Sequence, residues 1–231
     1  MTLQEIFDYL ALGQLGNTGD VENGAIKASS YQRIANLVQL ALTDLHTRFP
    51  LKDSELLLDQ DDGTIIYYLK SEHAYSNTES TAQKYINDTT NPFTDDIIAI
   101  TAMYDEAGCL VPLNDYTDGR SIYTTGPTTL QITQPVTGNT TFIMYRANHP
   151  KLGDVSDPSA VNIELPQAAL DAVLGYVTYR AYQNKQNPES QAISQQSKMY
   201  YEEQCLFLQK YIAVNNISGD RNTSFENNGW V

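Results

Sequence analysis

Cysteine, histidine, tryptophan and basic residues are all scarce in this chain of 231 residues. The two cysteines, Cys109 and Cys205, cannot build a disulfide framework and fit a reducing compartment. Cys109 has no histidine or basic neighbour in sequence to activate it and reads as structural. The histidines His46, His73 and His149 and the two cysteines fall at no metal-ligand spacing. His46 and Asp44 are too close in sequence to share a helix face. No Gly-rich phosphate loop and no G-x-S-x-G nucleophile turn occurs. Lys and Arg number 14 against 28 Asp and Glu, a net charge of −14 that argues against a phosphate-binding surface, though not against one that surrounds or repels nucleic acid. No apolar run approaches the roughly 20 residues of a membrane span. The start, MTLQEIFDYL, lacks the basic and apolar regions of a signal peptide. A soluble protein made inside the cell is expected, with the Asn-x-Ser/Thr matches at Asn87, Asn139, Asn216 and Asn222 arising by chance.

Helical patterning occupies both ends of the chain. Thr2 to Leu12 carries a capping-box pair, Thr2 and Glu5, and a buried stripe of Leu3, Ile6, Phe7 and Leu10, with Gly13 suited to the C-terminal end. Gly16 to Gly24 reads as a loop. In Ser29 to Phe49 the residues Ile34, Leu37, Val38, Ala41, Leu45 and Phe49 fall at helical steps. Ser29 with Gln32 has capping-box spacing, and Pro50 stops the helix. Leu40 and Leu42 widen its apolar face, which predicts cover on more than one side. After a linker from Ala147 to Asn162, Pro166 sits at the first turn of a third helix. Its face is Ala169, Leu170, Val173, Leu174, Val177 and Ala181. Asn187 caps a fourth helix with Pro188 at its first position, running from about Glu189 to Ala213. Its apolar pairs recur every seven residues, at Ala192/Ile193, Met199/Tyr200, Leu206/Phe207 and Ala213/Val214, with Gln196 and Glu203 interrupting the stripe between them. The third and fourth helices are expected to form an antiparallel hairpin packed on the second.

Between the helices lie six or seven short strands, enough for a small barrel or sandwich. Glu55 to Asp59 and Thr64 to Leu69 flank DQDDG as a hairpin. Asp59, Asp61 and Asp62 do not keep the alternation of a calcium loop. Ser71 to Pro92 is polar with few apolar anchors, and is either a binding segment or a solvated excursion. Asp96 to Tyr104 and Cys109 to Leu113 form a second hairpin about Asp105 to Gly108. Ser121 to Thr124, Thr128 to Thr133 and Thr140 to Arg146 follow as strands. The fold class expected is α+β: a four-helix bundle from the N- and C-terminal helices, an inserted antiparallel β domain and an extended C-terminal tail. The divisions are 1–52, 53–150, 151–214 and 215–231. The tail, NNISGDRNTSFENNGWV, is polar, and alone it should be disordered. Phe225 and Trp230 would anchor it on a neighbouring chain or on its own domain.

This order of elements resembles the head-to-tail adaptor (connector) proteins of tailed bacteriophages, nearest the short-tailed type. The segments that carry the resemblance are MTLQEIFDYLALGQL, IANLVQLALTDLHTRFPLKDSELLL, AVLGYVTYRAY and the Asn/Gly-rich tail. It implies a structural virion protein, not an enzyme, with no cofactor and no metal. Twelve copies would form a ring under the portal protein, and the β part would face a tail or nozzle protein. The tail, through Asn215, Phe225, Asn228, Trp230 and Val231, would dock on the portal. Genomic DNA would pass through the lumen without specific binding, and no membrane is involved. The competing expectations are a tail-tip or host-surface-binding protein, with its aromatics on β-loops, and a cell-wall glycan hydrolase, with two carboxylates facing one cleft.

Overall fold

The computed structural model describes residues 1–16, 18–183, 185 and 187–216. Among these the chain forms four α-helices and antiparallel sheets, a mixed architecture compatible with α+β. It divides into two compact units. One joins Met1–Leu45 to the described residues from Lys151 onward; the other is His46–Pro150.

In the first unit, α1 (Leu3–Leu12) starts on the expected capping box. Thr2 Oγ1 accepts from the Glu5 N–H and Glu5 Oε2 from the Thr2 N–H. Leu3, Ile6, Phe7 and Leu10 are fully buried. The linker before α3 is more than a connector, because its end pairs with the N-terminus. The Leu3 N–H donates to Val161 O (2.9 Å) and the Ile163 N–H to Met1 O (2.8 Å).

The expected loop at 16–24 ends in the first strand and turn of a hairpin, β1 (Val21–Glu22) with β2 (Ala25–Ile26). Asn23 and Gly24 both take positive φ (52° and 78°), the geometry of a tight I′ turn, and the Asn-Gly pair was its signal in sequence.

The second helix, α2 (Tyr31–Arg48), begins later than its apolar pattern suggested. Residues Ala28–Ser30 form a 3₁₀ turn, so Ser29 is not its cap. The Ser30 hydroxyl donates to Asp20 Oδ1 (2.9 Å), and Gln32 Nε2 donates to Asn36 instead of reaching back. Asp20 also pairs with Arg33. Burial alone would raise the Asp20 pKa; the Arg33 and Ser30 partners outweigh it and hold the carboxyl below its usual range. The expectation for Leu40 fails: Leu42 is buried, but Leu40 lies on the opposite side of the helix and is exposed.

Helix α3 (Leu170–Gln183) is buried nearly all round. Every residue from Ala172 to Thr178 is buried, so its apolar positions belong to a helix covered on all sides over those two turns and not on one face. Helix α4 (Pro188–Asn216) starts where predicted, with Asn187 Oδ1 accepting from the Ser190 N–H at 2.6 Å. Gly175 lets the two helices approach closely: a Cβ there would lie 3.1 Å from Tyr200 Cδ1 and 3.4 Å from Tyr201 Cα.

The second unit holds two sheets. One has the order β5–β3–β9–β6 (Ile86–Asn87, Asp53–Asp59, Thr140–Ala147, Ile97–Tyr104); the other has the order β4–β8–β7 (Ile66–Tyr68, Thr129–Ile132, Ile122–Gly126). Strand β9 alternates strictly and turns Thr141, Ile143, Tyr145 and Ala147 into a shared core with Leu56, Leu58, Tyr67 and Leu130. The segment 110–113 bridges the sheets, pairing Leu110 with Tyr104 and Leu113 with Ile122.

The expected hairpin across DQDDG does not form. β3 pairs with β9 and β5, while β4 pairs with β8 in the other sheet. The turn is a corner between sheets. It is held by Tyr67, whose hydroxyl accepts from the Asp61 N–H (2.9 Å) and donates to Asp61 O (3.1 Å).

The polar stretch 71–92 is likewise no loose excursion. It contains β5 and buries Ala74, Tyr85, Ile86 and Asp88. Carboxylates supply the anchors that apolar residues do not. Asp88 accepts from the Ser76 N–H and hydroxyl and from the Phe93 N–H (2.8 Å), and Asp95 accepts from the Ser71 N–H and hydroxyl. Burial would raise the Asp88 pKa, but these donors prevail and lower it below 3.8. Replacing Asp88→Ala strands the buried Phe93 N–H and removes both Ser76 bonds, and should cost about 1–3 kcal/mol in urea unfolding. The wild-type contribution is complete above the unfolded value of 3.8 and fades as pH falls through the lower folded value. The difference between wild type and variant should therefore shrink in strong acid and be constant near neutrality.

Candidate functional site

The residues expected to dock on a partner fall at the C-terminus. Helix α4 runs through Asn216, so Asn215 belongs to its span and the helix extends past the expected tail boundary. Phe225, Asn228, Trp230 and Val231 lie outside the described residues.

Helix α4 itself presents two opposite faces. Ser190, Ser194, Tyr201, Cys205 and Leu208 are buried. On this face the Ser194 hydroxyl donates to Tyr179 O (3.1 Å), the Tyr201 hydroxyl bonds Asp44 of α2, and the Tyr201 ring meets Tyr176 edge-on at 5.2 Å. Burial, then the bond to Asp44, drives the Tyr201 hydroxyl far above its normal pKa. Facing away are Met199 (74% exposed), Leu206 (60%), Phe207 (55%) and Tyr211 (46%), on one stripe of the helix. Lone exposed apolar residues are ordinary, but four large ones on one side of a helix are not, even with charged Glu203 and Lys210 between them. The seven-residue recurrence in the sequence falls on the outward side: Ala192, Met199, Leu206, Phe207 and Ala213 are exposed and Ile193 and Tyr200 half-buried, so the expected packing stripe is not the one that packs.

The β unit carries a cleft of about 370 Å³ at the ends of its sheets. Buried Ile122 and Ile132 form its floor with partly buried Val111 and Pro112. Exposed Asp105, Glu106, Arg120, Gln134 and Asn139 form its rim. The turn that positions the carboxylates is the predicted one: Gly108 takes φ 76°, and Asp105 Oδ1 accepts from the N–H groups of Ala107 (3.0 Å) and Cys109 (2.8 Å). Glu106 Oε1 accepts from the Thr140 N–H at 2.6 Å. Asp105 and Glu106 are thus two carboxylates on one cleft, each with one oxygen held by backbone. The loop that walls the cleft at Gly119–Ser121 also displays Tyr116, 89% exposed, with its ring 5.3 Å from that of Tyr123. Arg120 pairs with Asp118 at 3.2 Å. The sequence marked the turn but not the cleft, whose walls run from Gln60 to Thr141, 81 residues apart in the chain.

The histidines sit apart from the cleft. His46 and His149 are buried with their rings 5.7 Å apart, and His73 stacks on Tyr85 at 4.6 Å. Among the described residues no group of three His, Cys, Asp or Glu could hold a metal ion, and no helix is long and apolar enough to cross a membrane. No known protein-family model and no curated protein matches this chain.

Proposed function

We propose that the protein is a head-to-tail adaptor of a tailed bacteriophage, of the short-tailed type. The observation that carries this reading is the apolar stripe of Met199, Leu206, Phe207 and Tyr211 on α4, opposite a face already packed. A helix apolar on both sides calls for cover from outside its own unit. The discontinuous helical unit, interrupted by a β unit, has the element order of the family the sequence resembles. In this reading the four helices form a bundle and about twelve copies close into a ring through heterologous contacts. The residues after Asn216, with Phe225, Asn228, Trp230 and Val231, reach the portal protein, and the β unit meets a tail or nozzle protein. Avidity around the ring offsets the ordering of such a tail. Genomic DNA passes through a lumen whose carboxylates repel phosphate. The role is structural and located in the virion.

Electron microscopy of the full chain mixed with purified portal tests this. Rings seated on the portal are expected, and a chain lacking residues 217–231 should stay folded yet fail to join it. A full chain that neither closes into rings nor binds portal would refute the reading. Normal binding by the truncated chain would remove the tail from it.

One observation favours a second reading, a tail-tip or host-surface-binding protein. Tyr116 stands almost fully exposed on a β-loop beside the cleft, where such a protein would keep its aromatics.

A further inference from the structure

We propose that the cleft at the end of the β unit is a saccharide-binding site. The cleft lies wholly within His46–Pro150, so this inference is independent of the ring reading. Its volume of about 370 Å³ lies near the lower end of ligand sites, about 300–1,000 Å³, room for one or two sugar rings.

Its lining decides the ligand class. The floor of Ile122, Ile132, Val111 and Pro112 is apolar and suits the C–H face of a pyranose. Above it stand planar polar side chains, and much of their hydrogen-bonding capacity is unspent. Asp105 Oδ1 and Glu106 Oε1 are occupied by backbone N–H groups, while the second oxygen of each takes no hydrogen bond among the described residues. The amides of Gln134 and Asn139 and the hydroxyl of Thr133 are also unengaged there. Carboxylates only accept, arginine only donates, and amides do both. Vicinal hydroxyls, each a donor and an acceptor, answer all three kinds at once.

Other ligand classes fit less of the rim. A phosphate or carboxylate ligand meets Asp105 and Glu106 as like charges. A basic peptide satisfies those two carboxylates but leaves the amides idle and faces Arg120. A wholly apolar ligand would cover polar groups without partners. Exposed Tyr116 on the adjoining loop, its ring beside that of half-buried Tyr123 in β7, offers a ring surface for a neighbouring sugar unit. Because the rim is open to solvent, affinity for a single sugar should be millimolar.

Saturation-transfer NMR on the full chain tests the site with methyl α-glucoside, methyl β-galactoside and N-acetylglucosamine, alongside acetyl-lysine amide. Transfer to the ring C–H protons of at least one sugar is expected. In the double variant Gln134→Ala/Asn139→Ala, Kd should rise at least tenfold with no change in thermal unfolding, since neither side chain holds any part of the fold. Glu106→Gln keeps the acceptor for Thr140 and removes only charge, so it should weaken a neutral sugar modestly. Three results would overturn the proposal: no transfer to any of the sugars, undiminished transfer in the double variant, or transfer to the lysine probe alone with its loss in Glu106→Gln.

Discussion

In the adaptor reading, replacing Met199→Gln, Leu206→Gln and Phe207→Ser together should weaken self-association at least about a hundredfold while leaving the monomer folded. These side chains are more than half exposed, so the monomer loses little by the change. Covering a large apolar side chain is worth about 1.5–3 kcal/mol. Three lost contacts would total about 4.5–9 kcal/mol at full burial, reduced by the partial exposure regained and by the incomplete conversion of buried area into affinity. A loss of at least about a hundredfold in association constant remains. Sedimentation velocity of wild type and variant, with thermal unfolding of each, separates the outcomes. Undiminished assembly would show that the stripe is no interface. A variant that unfolds would show that the stripe is covered by its own chain.

The second large effect is expected at Gly175, where α3 and α4 come closest. Alanine there meets Tyr200 Cδ1 at 3.1 Å, but that is a ring edge able to shift. The gain in helix propensity, about 1 kcal/mol, offsets part of the crowding. Valine adds branches against the backbone of Tyr201, whose Cα and N lie 3.4 Å from the new Cβ. Gly175→Val should lower the stability of the helical unit by about 3 kcal/mol, because the helices must move apart. Urea unfolding followed by helical circular dichroism measures it. A cost below about 1 kcal/mol would mean that the two helices have more freedom than this packing allows.

These two positions differ in how far they could be anticipated. The seven-residue recurrence on α4 was visible in sequence and read as the face of a packed hairpin, but the face that packs is Ser190, Ser194, Tyr201, Cys205 and Leu208. Which of its residues stay exposed was not visible, since that depends on where α3 and α2 lie. Gly175 gave no signal, because glycine inside an apolar helix pattern can mark a close approach or nothing. Asp88 and Asp95 are similar cases. A polar stretch with few apolar residues reads as loose until its carboxylates are seen accepting from backbone donors.

What the sequence determined by itself is local. The Thr2–Glu5 capping box, the Asn187–Pro188 start of α4, the Asp105–Gly108 turn and the alternation of β9 act over a few residues, where cap, turn and pleat chemistry operate. Only the tertiary structure decided that β3 joins β9 and not β4, that Leu40 faces outward, and that a cleft opens between Glu106 and Asn139. Asp59 and Thr140, hydrogen-bonded across that pairing, are 81 residues apart. Periodicity shows that a strand has a face to bury, while the choice of its partner rests on packing among all the segments at once.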